Sequence, residues 1–92
     1  MLLNATISTP SEAIDQAAGG VPSLNLPGDS SRGLSNKLDA AQAALDRGDV
    51  TAARNQIESA IHQLETWVRS GRLDAAAADP LIADLEAALG LL

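Results

Sequence analysis

The chain has 92 residues, 46% of them apolar, and a formal net charge of −6 from six bases and twelve acids. A chain of this size buries somewhat over ~60% of its unfolded surface in one core, and this much apolar material excludes disorder. Absence of cysteine excludes disulfides and thiolate chemistry, no run approaches the ~18 apolar residues of a membrane span, and the acid excess argues against phosphate backbones and anionic lipid as partners.

One Trp, with no Phe or Tyr, leaves Leu, Ile, Val and many Ala to fill the core. Small Ala faces predict close helix approach, toward the short end of the usual ~8–10 Å. After Arg72 the chain carries Asp74, Asp79, Asp84 and Glu86 and no base. That run reads as a solvated acidic helix face, the competing reading being a docking patch for a basic partner.

Residues 1–8 are expected to be a flexible lead-in and 9–92 a single helical domain. Met1-Leu2-Leu3-Asn4 is too short for the apolar region of a signal peptide and lacks its basic start; one reading is that Met1 begins a segment cut from a longer chain. Thr9-Pro10-Ser11-Glu12 predicts a helix start, with Thr9 as cap, Pro10 in the first turn and Glu12 completing a capping box. Ala13, Ile14, Ala17 and Ala18 give this helix, over 9–19, an apolar face that Gly19-Gly20 should end. Residues 20–30 read as a connector in which Val21, Leu24 and Leu26 are anchors to the core rather than a strand.

The second helix is expected after Asp29 or Ser30, over 31–47, with Leu34, Leu38, Ala41 and Leu45 as its stripe. Gly48 should stop it in the left-handed conformation while Asp49 caps the next helix, a tight turn that makes the pair antiparallel. The third and longest helix, over 49–70, carries Val50, Ala53, Ile57, Ala60, Ile61, Leu64 and Val68 along one face, and Gly71 ends it. Asp74 then caps an alanine run in a last segment, 74–90, that Pro80 should kink or split because proline lacks the amide the helix needs. A split is favoured, with Asp79 capping a new helix, and Leu81, Ile82, Leu85, Ala88 and Leu89 as its stripe. Gly90 should end it with Leu91 folded back on Leu85. The fold class is therefore all-α: a small antiparallel bundle of three main helices plus a short or kinked fourth.

The stretch Gly33-Leu34-Ser35-Asn36-Lys37-Leu38-Asp39-Ala40-Ala41 continues to Leu45 and Gly48. Ala52-Ala53-Arg54-Asn55-Gln56-Ile57, Ala60-Ile61 and Gly71-Arg72-Leu73 follow it. This order and spacing resembles the FIMAH-type helical module, a small domain found near the C-terminal ends of bacterial secreted and surface proteins. The resemblance covers residues 10–92 and implies a non-catalytic tail module of a larger exported chain, extracellular or at the cell surface. The family pattern usually has Phe before the Ile, where this chain has Ala60; Trp67, seven residues on along the same stripe, is placed to supply the lost volume.

Candidate chemistry is sparse. His62 is the single imidazole, with none of the further His or Cys ligands a metal site needs. It could head a triad with Ser59 or Ser70, but no nucleophile turn or oxyanion signature accompanies them. Glu58 one turn earlier makes His62 an ordinary surface pair. Most acids fall at caps (Asp29, Asp49, Asp74, Asp79) or exposed faces, which explains them better than paired-carboxylate catalysis. Asp46 and Asp49 lack the alternating pattern of a calcium loop. Arg47-Gly48-Asp49 spells an adhesion tripeptide that the turn already accounts for, and Asn4-Ala5-Thr6 fits a glycosylation pattern. Trp67, beside Leu64 and Val68, reads as a half-buried core residue sooner than a sugar platform.

No catalytic, metal or cofactor-binding residue is assigned, and no cofactor is expected. The expected function is a non-catalytic accessory or protein-interaction module, with a self-associating oligomerisation domain as the alternative. Its partner would be a neighbouring domain of the parent chain or a second copy, without nucleic acid or membrane.

Overall fold

The structure, a computed structural model, describes residues 9–92; the lead-in at 1–8, with the Asn4-Ala5-Thr6 triplet, lies outside the described residues. Four helices follow in chain order: α1 (Pro10–Gly20), α2 (Gly28–Asp46), α3 (Val50–Arg69) and α4 (Ala75–Leu91), with a 3-10 turn at Val21–Leu24 between the first two. Each helix packs on its sequence neighbour, α2 on α3 most extensively, and α4 closes the ring by returning onto α1. The result is an all-helical bundle.

Local chemistry sets most of the helix ends. The Glu12 N–H donates to Thr9 Oγ1 at 3.1 Å, the expected N-cap of α1. Glu12 Oε1 accepts from the Thr9 hydroxyl at 3.2 Å and not from the Thr9 backbone N–H that a full capping box uses. Asp49 Oδ1 accepts from the Ala52 N–H at 3.1 Å and Asp74 Oδ1 from the Ala76 N–H at 3.3 Å. Gly48 and Gly71 have φ of 77° and 81°, a region only glycine enters without strain. At the first, the Asp49 N–H reaches Ala44 O (2.8 Å) and the Gly48 N–H reaches Leu45 O (2.9 Å). At the second, the Arg72 N–H reaches Trp67 O (2.9 Å) and the Gly71 N–H reaches Val68 O (3.1 Å). Both turns are complete Schellman motifs.

Four boundaries differ from the sequence reading. Gly19 and Gly20 do not end α1; both are helical and lead into the 3-10 turn, so only 25–27 of the expected connector is non-helical. Asn25, at φ 55°, makes the break, since Asn tolerates the left-handed region. Helix α2 opens at Gly28 with Pro27 as N-cap and no side-chain cap, so Asp29 stands in the first turn and acts on the helix dipole instead of capping. Pro80 does not split the last segment: α4 runs continuously from Ala75 to Leu91, and Asp79 is interior to it. Pro80 and Ala76 are both exposed, so the Ala76 carbonyl that loses its partner can turn to water. Gly90 also stays helical, and Leu91, 43% exposed, is not folded back.

The core is aliphatic and alanine-rich. Among the described residues, Ile14, Leu34, Leu38, Ile57, Leu64, Leu85 and Val21 are the largest fully buried side chains, and no polar or charged residue is buried. Leu45, Val68 and Leu89, expected in the core, pack against it half-buried, while Ala44 and Leu73 are buried. Val50 begins the α3 stripe in sequence but is 41% exposed, because it stands at the first helical position beside the turn. Of the connector anchors, Val21 and Leu24 are buried and Leu26 half-buried.

Helices α1 and α4 meet at Gly20. A Cβ there would stand 2.7 Å from Leu81 Cδ1 and 3.3 Å from Leu81 Cγ, whereas one on Gly19 would meet nothing within 4 Å. Gly19→Ala is therefore expected to stabilise by about 0.5–1 kcal/mol through helix propensity. Gly20→Ala should fall below it by at least about 1 kcal/mol, because the buried Leu81 must shift. Chemical denaturation of the two variants side by side checks the difference; equal stabilities would mean that α1 and α4 are not in this close contact.

Candidate functional site

An open groove lies where the N-terminal half of α2 meets the C-terminal half of α3. Helix α2 contributes Asp29, Ser30, Gly33 and Lys37 around Leu34, α3 contributes Gln63 and Trp67, and Arg72 enters from the following turn. The α3 turn builds this arrangement. The Trp67 carbonyl accepts the Arg72 N–H at 2.9 Å, the Leu73 N–H at 3.3 Å and the Ser70 hydroxyl at 3.1 Å, so the backbone of Arg72 is fixed directly beyond Trp67.

Trp67 is only 6% exposed and belongs to the main apolar cluster with Ala60 and Ile61. Its ring is therefore core, buried more fully than the half-buried position expected from the sequence, and offers no open face for stacking a sugar. The indole N–H has no hydrogen-bond partner and still reaches solvent, because among the described residues no side-chain nitrogen or oxygen is both buried and unbonded. Lys37, Arg72 and the Trp67 N–H have no hydrogen-bond or ion-pair partner among the described residues. Two cations and one acid, Asp29, line the groove, on a chain whose net charge is −6.

Two other depressions have different characters. One follows Glu12, Asp15, Gln16, Gly19 and Gly20 along α1 and is open, polar surface. The other runs between α3 and α4, where half-buried Val68 and Ile82 are flanked by Glu65, Arg69 and Asp79. A polar clamp ties α1 to α2: Gln42 Nε2 donates to Ser11 O (2.9 Å) and Asp15 Oδ1 (2.8 Å), and Ser11 Oγ donates to Gln42 Oε1 (2.9 Å). Sequence reasoning missed it because the partners lie about thirty residues apart.

The residues weighed for chemistry do not converge. His62, Glu58, Ser59 and Ser70 are exposed, and the Ser70 hydroxyl is engaged with the Trp67 carbonyl. Asp49 and Asp74 are occupied as caps. Among the described residues no three His, Cys, Asp or Glu side chains come together as metal ligands, and no helix is long and apolar enough to cross a membrane.

Fold and surface thus define a small all-helical module with an aliphatic core. The chain belongs to the FIMAH domain family, whose model matches residues 21–90. That family is a small helical domain and is not known as an enzyme family. No curated protein and no solved structure matches the chain. The family match begins at the 3-10 turn, so α1 lies outside it although Ala13, Ile14 and Ala17 are wholly buried.

Burial pushes the Asp84 carboxyl on α4 above its ordinary pKa of 3.8. A pKa raised on folding means that the ionised form costs stability above the folded-state value. That cost falls away as the pH drops through it toward 3.8. Asp84→Asn is therefore expected to raise Tm at pH 7, with an advantage over the parent that shrinks on acidification. A pH series of melting curves tests this, and a pH-independent difference would count against the desolvation argument.

Proposed function

We propose that this chain is a non-catalytic accessory or protein-interaction module of a larger bacterial exported protein, working outside the cell or at its surface. The family match over residues 21–90 is the observation that carries this reading. Its mechanism is steric and adhesive: a rigid bundle that spaces, solubilises or docks a neighbouring domain. The polar chemistry of the chain supports it, since Thr9, Asp49, Asp74 and Gln42 are used to hold helix ends and to join α1 to α2. Purified chain offered a panel of ester, glycoside and peptide substrates is expected to leave them turning over at the buffer rate. Turnover that scales with protein and disappears in His62→Ala would overturn the reading.

Self-association is the second reading, and two exposed apolar side chains favour it. Leu91 at the end of α4 and Val50 at the start of α3 are 43% and 41% exposed. A short turn joins α3 to α4, and an antiparallel pair would set both side chains at the same end of the bundle. If that end is a contact between copies, light scattering across a concentration series should show a dimer mass that falls on dilution, and Leu91→Glu should give monomer at every concentration. A constant monomer mass in the parent chain sets this second reading aside.

A further inference from the structure

We propose that the groove between α2 and α3 binds a carboxylate carried by an acidic peptide segment of a protein partner. The proposal deepens the interaction-module reading and rests on it. Three kinds of donor meet there. Helix α2 starts without a side-chain cap, so the N–H groups of Gly28, Asp29 and Ser30 at its positive end are open, and Asp29 and Ser30 line the groove. Trp67, more than nine-tenths buried, lines the same groove with its N–H unpartnered. Lys37 and Arg72 stand there as unpaired cations in an acidic molecule.

Donors and positive ends outnumber acceptors in this lining, where Asp29 is the one acid against Lys37 and Arg72. A carboxylate supplies two acceptor oxygens and a negative charge, and Arg72 can take it through two parallel N–H donors. Gln63 at the rim can donate to and accept from a peptide backbone. A peptide is favoured over an acidic sugar because the Trp67 ring is packed into the core and shows no stacking face. Asp29 opposes an anion, and this gives the proposal a variant that should strengthen binding. The α3 turn uses only the backbone of Arg72, so Arg72→Gln leaves the turn intact.

Trp67 is the single tryptophan, which makes its emission a reporter placed at the site. Titration with hexaglutamate at low salt is expected to give a saturable change, with hexaglutamine binding at least about tenfold more weakly and added salt weakening the acidic peptide. Lys37→Gln with Arg72→Gln should weaken hexaglutamate at least about tenfold, and Asp29→Asn should tighten it about two- to threefold, with helical circular dichroism unchanged. No saturable response, equal response to hexaglutamine, or indifference to either change would overturn the site. Oligogalacturonate binding as tightly as hexaglutamate would overturn its assignment to a peptide. Loss of the site without substrate turnover leaves the interaction-module reading standing, whereas turnover removes that reading itself.

Discussion

Leu81 fills the space where a Cβ on Gly20 would stand, and that contact shows how this bundle is held together. With no Phe or Tyr, core density cannot come from large rings; it comes from bringing helices close. Ala13 and Ala17 on α1, Ala41 and Ala44 on α2, Ala53 and Ala60 on α3, and Ala78 and Ala88 on α4 are all essentially inaccessible. Such small faces let helices approach closely, and close approach makes dispersion contacts dense although individual side chains are modest. Any extra atom at such a seam must be accommodated by moving a neighbour, and this is why α4 can close on α1.

The turns complete the arrangement. Gly48 and Gly71 reverse the chain through the same hydrogen-bond pattern, and each hands the backbone to an aspartate cap within a few residues. The second turn does more than reverse the chain. By loading three donors onto the Trp67 carbonyl it fixes Arg72 beyond the ring, across from the uncapped start of α2. The groove with unpaired donors is thus a by-product of how one helix stops and another starts, and of a tryptophan whose ring is core while its N–H remains at the surface.

Helix α1 gives the family assignment a structural edge. The matched region begins at Val21, yet Ala13, Ile14 and Ala17 are as deeply buried as any residue of the matched helices. Removing α1 would uncover the face of α4 that carries Leu81, so in this chain the matched helices share their core with a segment outside the match. The clamp of Gln42 on Ser11 and Asp15 fastens that segment from the α2 side. The Ala60 that replaces the family's usual Phe lies in the same apolar cluster as Trp67, consistent with the ring taking up volume that the smaller residue leaves.

Helix number, the two glycine turns, the Thr9, Asp49 and Asp74 caps and the buried stripes of α2 and α3 were legible in the sequence. They rest on interactions within a few residues: a φ that only glycine adopts, a side-chain oxygen facing an open amide, a period that puts apolar residues on one face. The same local logic failed at Gly19-Gly20, at Pro80 and at Gly90, where breakers stay inside helices. Burial of the α1 and α4 faces against each other, and exposure of Ala76 to solvent, outweigh local preferences of about 1 kcal/mol for glycine and about 3 kcal/mol for proline. Which helices are neighbours, how Gln42 spans to α1, and which polar groups face one groove were decided by the tertiary structure alone. Those relations join residues far apart in the chain, and one-dimensional spacing carries no information about which distant faces will be pressed together.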